Sequence, residues 1–300
     1  MRTPNLEDLI SLKNEAVKFM KYKTANQYNF AGLLKTKFKG QGLEFDNIRD
    51  YSYGMEVRNI DWNVTARTGK VHIREFVTEK ENNLDIIMDV SPNMQFASFA
   101  RFKYFIASEI LAIMSFAASL NMEKLSYWFF GENLKNYYFL QQHNSQNIVF
   151  EALNFICQDH GLSYLNNNNN LANILLNYKN MLNSNGVLLI ITDFNRLVSE
   201  FSADLKSLLI EIAKKKHIIL LDIYDEFEIN PPRSGTYKLR NYEGFSQYLD
   251  FSDNDAALQY KNMIKQFKEQ LNLLAIEHNF LYFSLATKSN YEDFMKLFLI

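Results

Sequence analysis

One cysteine, Cys157, occurs among 300 residues. That excludes a disulfide framework and cysteine-rich zinc sites, and Cys157 itself falls within a helical pattern as a core residue. An excess of charge is also missing: 32 Lys and Arg stand against 34 Asp and Glu, a net charge of -2. Nothing therefore draws the chain broadly to nucleic acid or to an anionic membrane. The local basic run Lys214, Lys215, Lys216 and His217 reads as a solvated helix end. Long apolar runs are absent too. The most apolar segment, Phe102 to Met122, is interrupted by Lys103, Glu109 and Asn121 and is rich in Ala and Ser, too broken to span a bilayer. The charged N-terminus is unlike a secretory signal. These absences place the chain by expectation in a reducing cytoplasm, reaching a membrane only through partners. The five histidines show no metal-ligand spacing, and no G-x-S-x-G, P-loop or G-x-G-x-x-G motif is present.

What is present is aromatic and periodic. With 25 Phe and 17 Tyr the chain has ample material for a core. Residues 5 to 26 carry Leu6, Leu9, Ile10, Val17 and Met20 at helical spacing. Residues 27 to 80 read differently, as short extended runs punctuated by glycine, "KVHIREFV" among them. From Leu84 a new rhythm starts. "LDIIMDV", "KLSYWFF", "GVLLIITDF", "HIILLDIY" and "FLYFSL" are apolar runs separated by amphipathic helical stretches, with "KNYYFL" returning across Gly131 as a hairpin. Strands apolar throughout and alternating with helices imply a mostly parallel sheet covered on both faces, a doubly wound α/β domain. The expected division is an N-terminal helix and short-strand extension over residues 1–80 and an α/β domain over 81–300. A small hairpin insertion is expected near 230–250. The asparagine tract at 166–170 reads as a solvated loop.

Two strand ends carry aspartate: Asp89 in "DVSPNM" and Asp193 in "ITDF". Functional groups of such sheets gather at the carboxyl ends of strands. "DVSPNM" resembles the D-x-S-x-S loop of von Willebrand factor A domains, and "ITDF" resembles the later strand end that supplies that fold's second aspartate. "NNNNNLANIL" stands where such domains carry a Gly-Gly-Thr loop, with Asn169 at the threonine position. A longer stretch, "GQGLEFDNIRDYSYGMEVRNIDWNVTARTGKVHIREFVTEKE", is similar to the segment preceding this domain in one bacterial group, the formerly uncharacterised A-domain proteins encoded beside MoxR-type AAA+ ATPases. Gly40, Gly42, Glu44, Arg49, Tyr51, Gly54, Asp61, Trp62 and Arg74 are among the matches, and "DIYDEFEINPPRSGTYKLRNYEGF" fits that group's later hairpin. Met55 departs from the group's usual aspartate.

The resemblance implies a metal-ion-dependent adhesion site holding Mg²⁺ through Asp89, Ser91, Asn93, Asn169 and Asp193, completed by a partner's carboxylate. Mg²⁺ takes six oxygens and keeps several waters, so few charged ligands are needed. Asn93 and Asn169 replace hydroxyl residues of the pattern, and their amide oxygens are uncharged ligands. The resemblance further implies a non-enzymatic adaptor, working with a MoxR-type AAA+ ATPase in maturation, assembly or stress protection of clients. The competing class is an Mg²⁺-dependent hydrolase or phosphoryl-transfer enzyme using the strand-end aspartates. Position 91 is Ser, so a D-x-D nucleophile motif is absent. Arg58, Asp61, Trp62 and Arg67 form a second group of interest. The bland reading is an ion-pair network, with Trp62 as a core anchor between the two parts of the chain. The alternative is a partner surface.

Overall fold

A computed structural model describes residues 3–23, 44–52, 57–77, 83–98, 101–121, 124–143, 146–161, 169–182, 186–194, 203–230, 235–240, 246–250 and 254–297. The chain divides into two compact units, Met1–Leu34 with Asn82–Ile300, and Lys35–Glu81.

The larger unit is built on six strands: β3 (Asn83–Asp89), β4 (Lys124–Phe130), β5 (Tyr138–His143), β6 (Gly186–Thr192), β7 (Lys216–Tyr224) and β10 (Leu281–Ala286). They lie in the order β10-β7-β6-β3-β4-β5. All neighbours are parallel except β4 and β5, which pair antiparallel as the expected hairpin. The apolar runs of the sequence become these strands because both faces of the sheet are covered. On one face Leu84, Ile86 and Met88 pack with the helices Lys103–Leu120 and Gln146–Ile156. On the other, Ile87, Leu188, Ile190 and Leu220 pack with the helices Leu171–Met181, Ala203–Ala213 and Asn254–His278. The chain steps from β3 to β4 in one direction and from β3 to β6 in the other. The order therefore reverses between β3 and β6, the crevice where doubly wound sheets bind ligands.

The expected first helix is split. Leu6–Ser11 and Lys13–Lys23 meet at Leu12, and Leu9, Leu12, Ala16 and Phe19 are core residues of the larger unit. These helices therefore belong with the sheet, where the sequence had grouped them with the 1–80 extension. Lys103–Leu120 is the one described helix long and apolar enough to cross a membrane, but 78% of it is buried in the unit, where it serves as the central core helix. In the expected insertion, β8 (Thr236–Arg240) and β9 (Ser246–Asp250) pair antiparallel.

Gly186 opens β6 at φ +136, and a Cβ there would stand 2.3 Å from the Asn83 carbonyl oxygen. Gly186→Ala is expected to destabilise by on the order of 3 kcal/mol, through backbone strain added to a backbone clash. A lowered urea midpoint at unchanged slope would register it; an unchanged midpoint would show that β3 and β6 can part locally.

The smaller unit contains β1 (Glu44–Asp50) paired antiparallel with β2 (His72–Val77), and the helix Trp62–Thr68. Asp61 caps that helix, accepting from the N–H groups of Asn63 and Val64, and Gly69 closes it in the left-handed conformation.

Candidate functional site

Because β3, β4, β6, β7 and β10 are parallel, their carboxyl ends share one edge of the sheet. The segments leaving that edge carry Asp89, Ser91, Glu132, Asn133, Thr192, Asp193, Asp225 and Thr287, all buried. Buried polar groups need partners. Those partners define the site.

Asp89 ends β3. One carboxylate oxygen accepts the Ser91 N–H at 2.8 Å, and the other accepts the Thr192 hydroxyl at 2.7 Å. The register that sets Met88 against Ile191 puts Thr192 beside Asp89. Ser91 then caps a short 3-10 turn, Pro92–Gln95, that carries Asn93. The adjacent loop after β4 is tightly fitted. A Cβ on Gly131 would lie 2.6 Å from Asn133 Oδ1 and 2.8 Å from the Ser91 nitrogen. Asn133 Nδ2 donates to the Val90 carbonyl at 3.1 Å, and Asn169 Nδ2 donates to the Gly131 carbonyl at 3.2 Å. The ends of β3, β4 and β6 and Asn169 are thus linked by hydrogen bonds. Asn170 is the N-cap of Leu171–Met181, accepting from the Asn173 N–H, so the last residue of the asparagine tract has a capping role. Asn166, Asn167, Asn168 and Asn195 lie outside the described residues.

Asp193 has a partner that the sequence reading missed. Lys103 Nζ lies 2.5 Å from Asp193 Oδ2 and 2.5 Å from Glu228 Oε1, and its side chain is almost fully buried. Burial works against the ammonium, but Asp193 and then Glu228 outweigh it and hold its pKa above the usual lysine value. Glu228 belongs to the short helix Glu226–Ile229. It closes a reciprocal capping box with Asp225, returning a carboxylate oxygen to the Asp225 N–H at 2.8 Å. Burial, reinforced by Asp193 and opposed by Lys103, pushes the Glu228 carboxyl up to about 7.

Asp225 ties three loops together. It accepts from the Ser98 N–H, the Phe227 N–H and the Thr287 hydroxyl. Burial opposes its ionised form, but these bonds hold its pKa below the usual carboxylate value. Phe96 and Phe227 stand at this edge, each 43% exposed, and the Lys103 ammonium sits over the Phe96 ring at 5.6 Å. Cys157 is half-buried and its thiol is pushed up to about 11, consistent with a structural role.

This arrangement fits a divalent cation poorly. A cation would have to share Asp193 with an ammonium already lodged against it, and Asp89 with two hydrogen-bond donors. Among the described residues, no group of three or more His, Cys, Asp and Glu is placed to hold a metal ion. The signals for the missed residues were present in the sequence. Lys103 is the charge that interrupts an apolar helix, and D-E-F-E at 225–228 is a capping-box pattern after a strand.

In the smaller unit the expected network takes another form. Asp61 is buried and pairs with Arg74, Nε to Oδ2 at 2.8 Å, a partner outside the expected group. The Arg74 guanidinium holds the Asp61 carboxyl below its usual range. Arg67 sits exposed in the last turn of its helix, where a cation suits the helix dipole. Trp62 is 67% exposed at the first position of its helix. The Arg58 side chain lies outside the described residues.

The family profile described as "Protein of unknown function DUF58" matches residues 47–270. Uncharacterized proteins of Mycobacterium bovis and Mycobacterium tuberculosis are 32% identical over 80 residues, 27% of this chain and 25% of theirs. The chain thus matches about a quarter of the length of those relatives. Among solved structures, a conserved hypothetical protein BatB from Bacteroides thetaiotaomicron gives a TM-score of 0.46 at 12% identity, covering 73% of this chain and 95% of that one. An aerotolerance-related membrane protein from Bacteroides fragilis gives 0.43 at 10% identity, covering 72% and 96%.

Proposed function

We propose, for a chain that belongs to the DUF58 family of proteins of unknown function, a non-enzymatic role as a von Willebrand factor A-like interaction module. In this reading it is an adaptor that works in the cytoplasm with a MoxR-type AAA+ ATPase in the maturation, assembly or protection of client proteins. Contact with a membrane comes through its partners.

The observation that carries the proposal is the gathering of polar loops at the switch point. Asp89, Ser91 and Asn169 meet Thr192 and Asp193 at the edge where doubly wound sheets present their binding groups. The strand-end carboxylates are held inside the fold, Asp89 by Ser91 and Thr192, Asp193 by Lys103. Carboxylates tied down in this way give the overlying loops a rigid frame for recognition, whereas attack on a substrate needs an activated nucleophile. The exposed Phe96 and Phe227 at the same edge supply the aromatic surface that binding hot spots favour.

A pull-down of the tagged chain from native lysate, with and without Mg²⁺, tests this directly. The expected result is recovery of an AAA+ ATPase. Recovery of none under either condition, or metal-dependent phosphoester turnover abolished by Asp89→Ala, would overturn the adaptor reading.

A further inference from the structure

We infer that the Lys103 ammonium is a resident cation for the strand-end Asp193 and for Glu228, and that this edge works without a divalent metal. The inference concerns the site itself and stands whatever partner binds there.

Its first support is where Lys103 sits. It is the first residue of the Lys103–Leu120 helix, following the N-cap Phe102. A cation in the first turn opposes the helix dipole. Burying an ammonium is a further cost, which only paired carboxylates offset. Neither helix energetics nor core packing accounts for a lysine there. Two carboxylates within 2.5 Å do account for it, Asp193 from the end of β6 and Glu228 from beyond β7.

The second support is that the carboxylates are used. Asp193 Oδ2 is bound to the ammonium, and the two oxygens of Asp89 take the Ser91 N–H and the Thr192 hydroxyl. The threonine that reaches Asp89 comes from β6 itself. Asn169 donates through its Nδ2 to the Gly131 carbonyl and so ties its loop to the end of β4. The ammonium thus performs the electrostatic task of a bound cation, holding the strand-end Asp193 and the helical Glu228 together, with a charge that cannot be chelated away. A partner carboxylate finds neither a metal nor an accessible ammonium here, since the Lys103 side chain is buried with its contacts directed to Asp193, Glu228 and the Phe96 ring.

The test uses the whole chain and Mn²⁺ as the probe, followed by electron paramagnetic resonance, alongside the melting temperature with millimolar Mg²⁺ or with EDTA. The expected result is a free-ion Mn²⁺ signal and a melting temperature that neither reagent moves. Mn²⁺ binding that persists in both Asp89→Asn and Asp193→Asn is adventitious and leaves the inference standing. Saturable binding that disappears in either variant, with circular dichroism showing that variant folded, overturns it.

Discussion

Lys103→Met is expected to destabilise the protein by about 3–5 kcal/mol, the cost of leaving buried carboxylates without their cation. This corresponds to a fall in Tm on the order of 10 °C. Methionine keeps most of the apolar stem, so the loss isolates the charge and its contacts with Asp193, Glu228 and Phe96. The effect depends on pH through Glu228. Its carboxyl is raised from 4.5 to about 7, by burial first and Asp193 second, against the pull of Lys103. A raised folded-state pKa contributes stability that is full below 4.5 and is lost as pH rises through about 7. With Lys103 removed, no ammonium opposes that rise, and the loss extends to higher pH. The stability gap between wild type and Lys103→Met should therefore widen as pH rises above about 7, where the wild-type carboxyl has already ionised. Denaturant titrations across that range check it. A gap that stays constant would show that Lys103 contributes packing and little charge.

At the opposite end of the sheet, Lys216→Met is expected to cost a similar amount, about 3–5 kcal/mol. Asp85 in β3 is buried and accepts from Ser126 Oγ at 2.5 Å, Tyr178 Oη at 2.6 Å and Lys216 Nζ at 2.6 Å. Removing the ammonium strands the carboxylate. Removing one neutral donor does less, so Tyr178→Phe should cost only about 1–2 kcal/mol. Burial, with Asp85 beside it, raises the Tyr178 pKa well above its usual value, so the hydroxyl remains a donor at any working pH. Replacing the pair together, Lys216→Met with Asp85→Leu, should recover much of the loss. Equal losses in Tyr178→Phe and Lys216→Met would refute the view that charge dominates this cluster.

The two lysines show where sequence reading stops. Lys103 stood out as a charge interrupting an apolar helical segment, whereas Lys216, read as part of a solvated helix end, is instead the buried first residue of β7. Their carboxylate partners are 90 and 131 residues away, and no local pattern connects them. The same holds for Asp61, whose partner proved to be Arg74 on the strand that follows its helix. Sequence proximity had suggested Arg58 and Arg67. Trp62, offered as an anchor between the two parts of the chain, is largely exposed. Size alone does not bury a residue at the first turn of a short helix whose capping aspartate is the buried member.

What the sequence by itself determined was the architecture. Apolar runs of strand length, separated by amphipathic helices, admit only a sheet covered on both faces, and the carboxyl-end positions of Asp89 and Asp193 follow from where those runs stop. The split of the first helix at Leu12 and its membership of the sheet unit were tertiary outcomes, because its apolar face needed the Lys103–Leu120 helix to pack against. The chemistry of the strand-end edge was also decided in three dimensions. Whether a carboxylate faces a metal, a hydroxyl or an ammonium depends on which groups the strand order brings within about 3 Å. Here the order set Thr192 against Asp89 and lodged Lys103 between Asp193 and Glu228.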